Sequence, residues 1–164
     1  NVNNTTAQVN TNNYTATDNI AGIGAFGFGI TNVSNSSINV NGTASSTIQG
    51  ALNLIRNLNI QNSTFNVTAT TPVPNTVVFG IETSNGAITN MNGVRVNIAS
   101  ANTSMTSMYT FPSGVVNYQN SIFIASTNSP GVAAATGGGG TFNNQGNVIC
   151  TLIQNGVTSN VMCP

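Results

Sequence analysis

Four segments of the chain share one design. Thr31-Asn32-Val33-Ser34-Asn35-Ser36, Leu58-Asn59-Ile60-Gln61-Asn62-Ser63, Thr89-Asn90-Met91-Asn92-Gly93 and Val116-Asn117-Tyr118-Gln119-Asn120-Ser121 each lead into an apolar strand. Their leading asparagines, Asn32, Asn59, Asn90 and Asn117, are 27, 31 and 27 residues apart. Period-two runs of β-branched and aromatic residues follow or flank them, as in Ser37-Ile38-Asn39-Val40 and Val94-Arg95-Val96-Asn97-Ile98. Such alternation, bounded by Asn, Gly and Ser, predicts an all-β chain of many short strands. Two architectures fit a repeated strand–turn–strand unit with polar corners. In one, each unit is a hairpin of a β-sandwich. In the other, each unit is a coil of a small right-handed parallel β-helix, with apolar residues stacked inside. The sandwich is the expectation and the β-helix its alternative. The one helical candidate is Thr47 to Leu58, where Ile48, Ala51, Leu52, Ile55 and Leu58 fall near helical spacing, between flanking strand signals.

Charge narrows the function. Only Asp18, Glu82, Arg56 and Arg95 are charged, 2% of 164 residues, and there is no His or Lys. Ordinary soluble domains carry roughly 25%. Asn, Gln, Ser and Thr make up the balance. Two separated arginines cannot supply the basic cluster that nucleic acid requires. The two acids are 64 residues apart with no His to assist them, so we expect no enzyme. Two carboxylates do not make a calcium cluster, and no metal or cofactor is expected. Gly22-Ile23-Gly24-Ala25-Phe26-Gly27 matches GxGxxG by letter. It lacks the following helix and the acid about 20 residues on that a nucleotide site uses. Gly137 to Gly140 has no Lys-Ser/Thr after it, and the tract from Gly131 to Thr141 reads as a flexible loop.

The two cysteines, Cys150 and Cys163, bracket Gln154-Asn155-Gly156-Val157. Asn-Gly between β-formers signals a type I′ hairpin, which brings the cysteines close enough for a disulfide. That implies an oxidising, extracellular setting, and the chain reads as a mature secreted one. Its longest apolar run, Ile20 to Ile30, is too short to cross a bilayer. Nine Asn-x-Ser/Thr sequons begin at Asn3, Asn4, Asn13, Asn32, Asn35, Asn41, Asn62, Asn66 and Asn102. N-linked glycans would hydrate a surface that charge does not. Amides and hydroxyls do not titrate, so such a surface suits an acidic environment.

Residues 1–20 are mostly Asn, Thr and Ala and read as an N-terminal arm, extending to residue 30 in its longer version. Residues 21–164 form the β-rich domain. An arm of this kind can add a strand to another subunit. Thr5, Ala7, Val9 and Thr11 lie on one face of such a strand, and Ile23 and Ala25 on the face of a second candidate.

Absent charge, Asn/Thr/Ser dominance, many sequons, one disulfide, all-β character and a polar arm together resemble the archaeal thread filament subunits of Sulfolobus-like thermoacidophiles. The resemblance implies a pilin-like, Ig-like β-sandwich whose N-terminal strand completes a neighbour's sheet. It also implies a glycosylated, head-to-tail extracellular homopolymer for adhesion or cell–cell contact, with cell-surface glycans as further partners. The alternative function is a β-helical surface or viral fibre protein.

Overall fold

The computed structural model describes residues 1–163 apart from 12–15, 27–28, 43–44, 55, 71–76, 102–103, 129–135 and 138. It is a β-solenoid. The chain winds through three sheets in turn, and each strand pairs in parallel with the strand one coil later. The first coil holds β1 (Val2–Asn3), β2 (Thr6–Thr11) and β3 (Ala16–Ala25). The second holds β4 (Ile30–Ser34), β5 (Ser37–Gly42) and β6 (Ser45–Asn53), and the third β7 (Asn57–Gln61), β8 (Thr64–Ala69) and β9 (Val77–Thr83). Then come β10 (Ile88–Asn92), β11 (Arg95–Ser100) and β12 (Ser104–Thr110), followed by β13 (Val115–Gln119), β14 (Ile122–Thr127) and β15 (Thr136–Gly137). The last coil has β16 (Thr141–Asn144) and β17 (Ile149–Gln154), and β18 (Val157–Val161) folds back on β17.

Sheet A is β1-β4-β7-β10-β13-β16, sheet B is β18-β17-β14-β11-β8-β5-β2, and sheet C is β15-β12-β9-β6-β3. The sandwich expectation is therefore corrected to its β-helix alternative. Among the described residues only β17 and β18 pair antiparallel; every other pairing is parallel. The reason lies in the corners. Asn4, Asn35, Asn62, Asn120 and Asn147 have φ between 45° and 55°, and Gly93 has φ 66°. One left-handed residue turns the chain from sheet A into sheet B, so the flanking strands enter different sheets and cannot pair with each other. Asn and Gly are the residues that tolerate this conformation. The buried Ser that follows completes the corner: Ser63 Oγ donates to Gln61 O (2.7 Å) and accepts from Ser36 N (3.1 Å), and Ser36 and Ser121 do likewise.

Inside, like positions stack. Ile38, Phe65, Val96, Phe123 and Cys150 form one in-register file, and Val33, Ile60, Met91 and Tyr118 another, all buried. Tyr118 meets Phe123 edge-on at 5.8 Å. The disulfide joins Cys150 to Cys163 (Cα–Cα 5.5 Å) and ties the hairpin to the last coil. Asn155 and Gly156 both have positive φ, 50° and 78°, as a type I′ turn requires.

Two further sequence readings change. The helical candidate over Thr47 to Leu58 is strand β6 through Asn53, with β7 beginning at Asn57 and Ile55 outside the described residues. Its three-residue spacing comes from a kink that β3, β6, β9 and β12 of sheet C share. Pairing skips Gly22, Gly50, Gly80 and Ser107, so Ile48 and Ala51 both face the core three residues apart. The same kink explains Gly22 of the GxGxxG string. A Cβ there would stand 2.9 Å from Gly50 O, one on Gly50 2.5 Å from Gly80 O, and one on Gly80 2.5 Å from Ser107 O. Thr136 and Gly137, within the tract read as a loop, pair with β12; most of that tract lies outside the described residues.

The kink file gives a direct test. Gly80→Ala should lower unfolding stability by about 1–3 kcal/mol in denaturant titration, because backbone on the next coil cannot yield as a side chain does.

Candidate functional site

The outer face of sheet A is built from the residues that first betrayed the repeat. Alternation in each strand sends Val33, Ile60, Met91 and Tyr118 inward and the neighbouring asparagines outward. In-register stacking then brings those asparagines to hydrogen-bonding distance. Asn32 Nδ2 donates to Asn1 Oδ1 (3.0 Å), Asn59 to Asn32 (2.9 Å), Asn90 to Asn59 (2.9 Å), Asn117 to Asn90 (2.7 Å) and Asn143 to Asn117 (2.7 Å). A second ladder runs on sheet B, with Asn66 donating to Asn39 and Asn97 to Asn66, both at 2.8 Å. Each of these ladder amides donates toward the preceding coil, so the ladders have a direction. Beside the first ladder lies a groove of about 350 Å³, lined by Asn59, Gln61, Asn90, Asn92, Gln119 and Gln145 among others. Its chemistry is neutral hydrogen bonding.

The sequons meet these ladders unequally. Asn32 and Asn66 are ladder members, and Asn41 donates to Asn10 (3.0 Å). Asn35 donates to Asn3 Oδ1 (3.4 Å), which also accepts from Ser34. Asn4 and Asn62 sit exposed at left-handed corners, where a glycan meets least obstruction. Asn13 and Asn102 lie outside the described residues.

The strand-donation candidates are placed within this chain's own coils. Thr5 precedes β2, and Ala7, Val9 and Thr11 in β2 pair with Ile38, Val40 and Gly42 of β5. Ile23 and Ala25 in β3 pair with Ala51 and Asn53 of β6. Ala7, Val9 and Ile23 pack half-buried against the core, and Ala25 is buried.

The acids are not brought together. Asp18 lies in β3 beside Asn19, which pairs with Thr47, whereas Glu82 pairs with Leu52. Their backbones are thus roughly 16 Å or more apart along the strand direction. A glycoside-hydrolysing pair needs carboxyls about 5–9.5 Å apart. Among the described residues no three His, Cys, Asp or Glu side chains gather to hold a metal. No helix there is long and apolar enough to cross a membrane.

A polar pair missed in the sequence sits on the outer side of sheet C. Gln49 and Glu82 are buried, and Gln49 Nε2 donates to Glu82 Oε2. In register, Phe79 stands beside Gln49 and Tyr109 beside Glu82, and the two rings stack at 4.7 Å. Burial pushes the Glu82 carboxyl above its ordinary value, and the bond from Gln49 only partly opposes this. Gln49 Oε1 has no hydrogen-bond partner among the described residues. A protonated Glu82 can donate to that oxygen while accepting from Nε2, closing an acid–amide pair. Nothing in the local sequence signals this, because a lone Gln and a lone Glu 33 residues apart meet only through the coil period.

Two outcomes follow. Asn90→Ala should cost about 1–2 kcal/mol in denaturant titration, since it strips partners from Asn59 and Asn117 at once. The Glu82 shift favours the folded state below the unfolded carboxyl value near 4.5. Its contribution fades as pH rises through the higher folded value. Melting temperature should therefore fall from pH 4 toward neutrality, and Glu82→Gln should flatten that profile.

Comparison with protein-family models, curated proteins and solved structures found no match for this chain.

Proposed function

We propose that the chain is a structural subunit of an extracellular filament or fibre, working by shape and stacking instead of by catalysis. The observation that carries this reading is the unbroken stack of parallel coils, with directional amide ladders along its surface. Repeat stacks of this kind are stiff because each coil binds its neighbours along one axis. The low charge agrees with it: a surface of amides and hydroxyls keeps its character across pH, and Glu82 is better accommodated in acid. The disulfide supports an oxidising, extracellular setting. N-linked glycans at exposed corners such as Asn4 and Asn62 would supply hydration. Because β1 and β2 are paired within their own chain, head-to-tail growth is read here as edge-to-edge contact and not as exchange of an arm. Contact with cell-surface glycans is a second reading, favoured by the groove on sheet A and its rows of neutral donors and acceptors.

Electron microscopy and fibre diffraction of native surface material test the main reading. Thin fibres containing this chain are expected, with a reflection at about 4.7–4.8 Å along the fibre axis, since strands stack perpendicular to it. Recovery of the chain only as an intracellular monomer would overturn it.

A further inference from the structure

We propose that two copies of this chain join head to tail through sheet B, the β18 edge of one copy pairing antiparallel with the β2 edge of the next. The inference deepens the filament reading and rests on it for its biological setting.

Strands β2 and β18 are the two ends of one seven-stranded sheet, so among the described residues each leaves one row of backbone groups unpaired. Proteins normally blunt such edges with Lys, Pro, inward charges or bulges. Here the edges read Thr-Ala-Gln-Val-Asn-Thr and Val-Thr-Ser-Asn-Val, without charge or proline. Their lengths, six and five residues, differ by one.

The side chains match. In β2, Ala7 and Val9 face the core but remain half-buried, whereas their register partners Ile38 and Val40 are wholly buried. In β18, Val161 pairs with the core residue Cys150 and Ser159 with Leu152, which puts Val157, Ser159 and Val161 on the core side. Val157 is nevertheless 70% exposed. Joining the edges lays Val161 over Ala7 and Ser159 over Val9 of the next copy, with Val157 on the same face one pair beyond, and continues the core across the joint. On the outer face the joint places Thr158 and Asn160 beside Gln8 and Asn10, polar against polar.

The backbone is poised for it. In a two-residue hairpin the pair flanking the turn, Gln154 and Val157, is the hydrogen-bonded one, and bonding alternates from there. Thr158 and Asn160 therefore point their N–H and C=O groups away from β17, toward the open edge. Since β2 and β18 lie at opposite ends of one chain, each joint leaves one free edge of each kind. Such a contact propagates instead of closing.

Sedimentation of the whole chain across concentration, with hydrogen exchange, tests the joint. Association should grow beyond dimers, and protection should rise with concentration at residues 6–11 and 157–161. Asn160→Pro removes only an outward N–H, and Gln8→Lys puts a charge on the opposing edge. Each should weaken association about tenfold or more while the melting transition and the disulfide persist. A monomer at all concentrations, a dimer that grows no further, protection gained at other edges, or undiminished association of either folded variant would overturn the joint. If a variant unfolds, the wild-type exchange pattern decides alone. Native fibres that survive folded Asn160→Pro defeat the joint but leave the fibre reading standing. Association through these edges without native fibres defeats the fibre reading alone.

Discussion

Everything in this protein depends on register between coils. A parallel strand cannot pair with its chain neighbour, so each strand waits a full turn for its partner. Once the coils align, backbone bonds, stacked apolar files and side-chain amide ladders all form at the same spacing. A slip by one residue would turn every inward side chain outward and every ladder asparagine into the core. The corners enforce the alignment. Left-handed Asn4, Asn35, Asn62, Gly93, Asn120 and Asn147 recur at the same point of each coil, and backbone bonds such as Asn62 N to Asn92 O continue the ladder through the turn.

The near-absence of charge fits this architecture. Like residues stack on like in a solenoid, and a file of lysines or glutamates would repel itself at every step. Asparagine does the opposite, because its amide both donates and accepts and so bonds to its own kind without limit. The buried exceptions are tuned to the same rule. Asn53 Nδ2 donates to Thr89, which bonds to Thr83, so a polar cluster links neighbouring coils inside one corner, while Asn53 Oδ1 has no partner among the described residues. Glu82 is met by the amide of Gln49 and stands in register beside Tyr109 instead of a cation.

The two ends of the stack differ. The last coil ends in a hairpin tied back by a disulfide, whereas the first begins directly on β1, β2 and β3 with half-buried apolar residues. Amide ladders carry the same polarity, each donating toward the first coil. A stack with unlike ends and a direction is a natural unit for a polar fibre.

The sequence by itself determined the all-β character, the period and the corners: Asn32, Asn59, Asn90 and Asn117 mark successive coils, and Asn-Ser steps mark the turns. It also determined the final hairpin, since Asn155-Gly156 has one strongly favoured turn geometry and the cysteines bracket it. It could not choose between sandwich and solenoid. Alternating strands and polar turns look alike in both, and the choice rests on whether a turn returns a strand to its neighbour or passes it to another sheet. That is a long-range matter, decided when the stacked interior closed. Tertiary structure alone also decided the kink at Gly22, Gly50 and Gly80, whose spacing imitates a helix in Thr47 to Leu58. It decided the fate of residues 1–11 too. A polar stretch reads as a free arm until the second coil offers it edges to pair with, and those pairings exist only once the coil period has brought residue 7 beside residue 38.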